Sequence, residues 1–76
     1  MSIFTSKRLN TLEDLFVDQL GDLYDAEEQI IDALPKMTEA AQSEDLKQAF
    51  RDHLQQTKSQ KSRLEQIFHM MGKEPQ

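Results

Sequence analysis

Glu27 is the residue whose type and position point most directly to chemistry. Leu20, Leu23, Ile30, Ile31 and Leu34 surround it at intervals of three and four, which places all six on one helical face. A carboxylate on an apolar face gives up hydration at a large cost, so it must take up a proton, pair with a cation or coordinate a metal. His53 is the second candidate, as a metal ligand or as a neutral ring hydrogen-bonded within a core. Gln56 and Gln60 follow at helical spacing, and both are also ordinary solvated helix residues. His69, Met70 and Met71 fall near a helix end, where packing and a dipole contact account for them.

Other chemistries find no support. The chain has no Cys, no Gly-framed Ser, and only two isolated glycines, which rules out a thiol nucleophile, a nucleophile elbow and a phosphate loop. Paired carboxylates acting on a glycoside need a cleft that a small helical chain does not offer.

The elements that must position these residues are helices. Two Gly, two Pro, no Trp and abundant Leu, Glu, Gln, Asp and Lys form a helical composition, and no stretch alternates with period two. Thr11, followed by Leu12, Glu13 and Asp14, predicts the start of a first helix over about residues 11–42. Its stripe runs Leu12, Leu15, Phe16, Leu20, Leu23, Glu27, Ile30, Ile31, Leu34 and Ala41, and Pro35 predicts a kink more than a break. Ser43 is a predicted N-cap with Glu44 and Asp45 behind it, opening a second helix over about 44–71. That helix carries Leu46, Phe50, His53, Thr57, Gln60, Leu64, Ile67 and Met71, until Gly72 and Pro75 end it. Residues 1–10 are expected as a flexible N-terminal arm and 73–76 as a tail.

Two such helices, with a turn of about two residues between them, must fold back as an antiparallel hairpin. Facing positions then sum to about 85, placing Glu27 level with Lys58 and within a turn of His53, Gln56, Thr57 and Gln60. A lone hairpin leaves half of each stripe in water, so two should combine into a four-helix bundle. The partner is a second copy, giving a homodimer, or the second half of a longer chain. Two copies would gather two Glu27 and two His53 at mid-height, where bundles house metal ions such as iron, manganese or zinc. The competing readings are a Glu27–Lys58 pair, a polar centre that only fixes helix register, and an open stripe that docks another protein's helices.

Length and charge bound the rest. With 76 residues the chain makes one small domain, and a core of that size is usually aided by metal or oligomerisation when disulfides are absent. Fourteen acidic against nine basic residues, net charge −5, repel a phosphate backbone, so nucleic acid is not an expected partner. No signal-peptide core follows Lys7 and Arg8 and no stretch approaches a membrane span, which predicts a cytoplasmic protein with no membrane partner.

Several ordered motifs resemble one family. Leu12-Glu13-Asp14-Leu15-Phe16, Asp22-Leu23-Tyr24-Asp25-Ala26-Glu27 and Ala33-Leu34-Pro35-Lys36-Met37 occur in the first predicted helix. Leu46-Lys47, Phe50, His53-Leu54, Thr57 and Arg63-Leu64-Glu65-Gln66-Ile67-Phe68 occur in the second. Together they are similar to the N-terminal half of the YciE/YciF family. The resemblance implies a ferritin-like bundle, a link to bacterial stress responses and a ferroxidase-type activity at a metal centre. Ferritin-like sites take a Glu from one helix and a Glu-x-x-His from the next. Glu27 matches the first position, whereas no Glu-x-x-His exists here, and Gln56 and Gln60 stand at degenerate ligand positions. A neutral amide neither bridges two irons nor offsets their charge.

Overall fold

Ser43 sets where the chain reverses. In this computed structural model, which describes the backbone of residues 3–75 and the side chains of residues 11–75, helix α1 spans Ile3–Ala40 and helix α2 spans Glu44–Met70. Ser43 is extended (φ −92, ψ 134), and its hydroxyl accepts from the Leu46 N–H at 3.3 Å, satisfying one of the free donors of α2. Glu44 and Asp45 follow in the first turn, where negative charge suits the helix dipole. The chain is an all-α antiparallel helical hairpin, as expected.

The other end of α2 closes by a Schellman motif. Gly72 adopts φ +70, its N–H donates to the His69 carbonyl at 3.0 Å, and the Lys73 N–H donates to Phe68 at 2.9 Å. Only glycine takes that backbone conformation without strain.

Two boundaries differ from expectation. α1 starts at Ile3 instead of Thr11, so residues 3–10, expected as an arm, continue the helix. Nothing before Gly21 breaks a helix, and a local capping signal does not stop one when the residues ahead of it are themselves helix-compatible. Pro35 lies inside α1, which runs on to Ala40. Three residues on, the Thr38 hydroxyl donates to the Leu34 carbonyl at 2.8 Å.

At 1.5 Å per residue α1 is about 57 Å long and α2 about 40 Å, so α1 outruns its neighbour. The molecule is accordingly a rod of 61 × 17 × 16 Å with a radius of gyration of 17.5 Å, against about 11 Å for a compact domain of this length. Its core is a narrow strip. Leu20, Tyr24, Leu64 and Phe68 form one cluster, with Val17, Ile67 and Met71 against it, and Phe68 is 1% exposed. Phe68 meets the Tyr24 ring edge-on, centroids 6.0 Å apart and planes at 82°, an arrangement favoured by the ring quadrupoles.

The buried faces keep Leu20, Glu27, Leu34, Thr57 and Leu64 of the predicted stripes but shift at their edges, taking in Tyr24 and Phe68. On α1 the inward residues are Leu20, Tyr24, Glu27 and Leu34, while Leu23 remains exposed; on α2 they are Thr57, Leu64 and Phe68, with Lys61 half-buried between them. Leu12, Leu15, Phe16 and Leu46, all assigned to the seam, are at least 45% exposed, as is Met37. α1 therefore carries two adjacent apolar stripes and spends one on α2.

Ser43→Ala removes the side-chain acceptor at the hinge and is expected to cost about 1 kcal/mol, lowering the thermal midpoint by roughly 4–8 °C in a domain of this size. A circular-dichroism melt checks it, and an unchanged midpoint would count against the cap.

Candidate functional site

Glu27 points inward. It is 8% exposed, and its Oε2 is shut off from solvent without a hydrogen-bond partner. Lys58, expected level with it, forms no ion pair with it; the cross-hairpin pair is Lys61 with Glu28 at 3.5 Å. Both ends of that pair are solvated, so it is worth no more than about 1 kcal/mol. The Glu27–Lys58 alternative is thus overturned, because Lys61 sits on the inward face of α2 and its partner is the outer carboxylate.

A turn before Glu27, Tyr24 organises the neighbouring polar contacts. Its hydroxyl donates to the Glu65 carboxylate at 3.1 Å, and Lys61 Nζ lies 5.3 Å from its ring centroid, within cation–π range. Tyr24 thus lies among Lys61, Glu65 and Phe68, so facing positions run from the expected register to about two turns beyond it. Burial first, and then the hydrogen bond to Glu65, raise the phenol above its ordinary value of 10.0; the Lys61 charge opposes them.

The α2 candidates lie elsewhere. His53, Gln56 and Gln60 are exposed, and no group of three or more His, Asp or Glu among the described residues could hold a metal ion. Between them Thr57 is fully buried, its hydroxyl donating to the His53 carbonyl at 2.7 Å, so the polar centre of α2 is sealed locally by a side chain bonded to its own helix. His53 instead borders an open apolar groove of about 430 Å³ with Ile30, Ala33, Leu34, Met37 and Phe50. One hairpin brings Glu27 to the interior but not His53, Gln56 or Gln60 to Glu27.

Sequence reasoning missed Tyr24 and Lys61. The signal was present: Leu20, Tyr24, Glu27, Ile31 and Leu34 follow helical spacing as well as the set containing Leu23 and Ile30 does.

Comparison with known proteins fits this geometry. Residues 11–76 match the domain of unknown function DUF892. Protein YciF of Escherichia coli (strain K12) is 42% identical over 59 residues, covering 78% of this chain and 36% of YciF, so the chain spans about a third of that relative's length. No solved structure matches. Among the described residues no helix is long and apolar enough to cross a membrane.

The raised phenol value fixes a pH dependence. The fold holds the proton more tightly than the unfolded chain does, so this contribution is complete below about 10 and is lost as pH rises through the folded value. Tyr24 is the single tyrosine, so tyrosinate absorbance reads it directly. Its midpoint is expected above that of the unfolded chain, and Tyr24→Phe should remove the corresponding alkaline loss of stability; coincident midpoints would contradict the burial described.

Proposed function

The chain belongs to the DUF892 (YciF) family, and on that premise we propose that it is half of a ferritin-like four-helix bundle whose completed form holds a divalent metal between inward carboxylates. The observation that carries this reading is the orphaned Glu27 oxygen. A desolvated carboxylate with an unfilled acceptor is one ligand of a set, and a second hairpin would supply the facing ligand at the same height. Iron, manganese and zinc all accept such an oxygen donor.

The donors of one chain do not complete a site. Glu27 fits a metal, while the exposed His53, Gln56 and Gln60 do not join it within the hairpin, and the two amides offer no charge. The proposal therefore ends at binding. A ferroxidase-type reaction and a role in stress responses belong to it only through the family resemblance.

A second reading is favoured by the outward placement of those same α2 residues: a non-catalytic helical assembly module with a degenerate metal site, in which Glu27 only restricts helix register.

One experiment separates the two. Protein purified without a histidine tag is assayed for bound metal, and thermal midpoints are measured with and without Mn²⁺ or Zn²⁺ for the native chain and Glu27→Gln. Metal binding predicts stoichiometric metal and a rise in midpoint on adding the ion, both lost in Glu27→Gln. Sub-stoichiometric metal in every preparation, with equal midpoints, would leave the assembly module.

A further inference from the structure

The exposed side of α1 has a pattern of its own. Phe16, Leu23, Ile30 and Met37 recur at intervals of seven, with Phe16, Leu23 and Met37 each about half exposed and Ile30 half-buried. Three residues after Leu23, Ile30 and Met37 come Ala26, Ala33 and Ala40, all exposed. Such a sevenfold stripe, bulky then small, is a helix–helix seam, and α2 does not cover it.

Its spacing is self-complementary in one orientation. Two α1 helices laid antiparallel with a two-fold axis at the height of Glu27 and Glu28 set Leu23 against the partner's Ala33. The same register sets Ile30 against the partner's Ala26 and Phe16 against the partner's Ala40. Phe16, Leu23 and Ile30 each meet an alanine, as ridges entering grooves require, and Met37 falls opposite the partner's Gln19. Leu23 of each copy is then level with the partner's groove between Ile30, Ala33, Leu34, Met37, Phe50 and His53. Charge agrees: Asp22, Gln29 and Lys36, all exposed, border the stripe at the same sevenfold phase. Antiparallel pairing brings Asp22 near the partner's Lys36 twice and places Gln29 by Gln29. Parallel pairing would set Asp22 at the height of Asp22 and Phe16 at that of Phe16.

The area is sufficient. A folded monomer of 8.9 kDa exposes about 4,800 Å², whereas this hairpin exposes 6065 Å². The excess, roughly 1,200 Å², exceeds the ~800 Å² that each partner contributes to a standard stable interface.

We propose that the open face of the hairpin is an interface for a second copy of this chain, docked antiparallel along α1 about an axis level with Glu27. The inference names the partner and register of the half-bundle proposed above and rests on that reading. Each copy brings one Glu27 to the shared centre, so the centre is incomplete in a monomer.

Charge reversal tests it on exposed residues that leave the hairpin core untouched. Sedimentation equilibrium of the native chain should give a dimer. Asp22→Lys and Lys36→Asp should each weaken self-association about ten-fold, and the double reversal should restore it. Mixing Leu23→Cys with Ala33→Cys under mild oxidation should give a disulfide-linked heterodimer in preference to either homodimer, cleanly because the native chain has no cysteine. A folded monomer at all concentrations overturns the proposal, even if that monomer binds metal and the functional reading survives. A dimer without rescue, or one that cross-links best through Leu23→Cys alone, also overturns it and leaves the half-bundle standing.

Discussion

A carboxylate withdrawn from water with one oxygen unfilled is the constraint on which the rest of this structure depends. Glu27 sits between Leu20 and Leu34 along the inward face of α1, where hydrophobic burial drives helix packing and an unpartnered polar group opposes it. Tyr24, one turn away, shows how the hairpin treats a polar group it can accommodate: the hydroxyl reaches Glu65, Lys61 covers the ring and Phe68 packs its edge. Thr57 is treated likewise, bonded back to its own helix. Glu27 Oε2 has no such partner among the described residues.

The packing leads to the same conclusion by a different route. Two helices side by side can each bury only the stripe that faces the other, and here the main buried cluster has four residues, two from each helix. A core this thin supplies only a few kcal/mol, and the second stripe, from Phe16 to Met37, stays largely in water. In the proposed assembly, covering that stripe and completing the environment of Glu27 are one event. Assembly and site formation are coupled in that proposal, in which the energy holding two hairpins together would also position a ligand at the centre.

Much of the fold was legible in the sequence because it is governed by local chemistry. The Ser43 cap, the acids after it, Gly72 at the end of α2 and the inward Glu27 all follow from residues within a turn or two of each other. What failed was the choice between adjacent stripes. A helix that packs on a sister and also on a partner is apolar over a wide arc, and one sequence does not say which edge faces which neighbour. Leu23 and Ile30 were therefore assigned to the seam that Tyr24 and Lys61 occupy, and His53 and Gln60 were set inward beside Thr57 and Leu64, of which only the latter two reach the core. The start of α1 failed for a different reason: Thr11 has the chemistry of a cap, but the residues before it carry nothing that stops a helix.

The most direct measurement of the central claim is the thermal midpoint as a function of protein concentration. If the orphaned carboxylate and the open stripe are both completed by association, unfolding is coupled to dissociation, and the midpoint rises steadily with concentration. A midpoint independent of concentration, in a chain that melts cooperatively, would mean that the hairpin is stable alone with Glu27 sealed inside it, and would contradict the account.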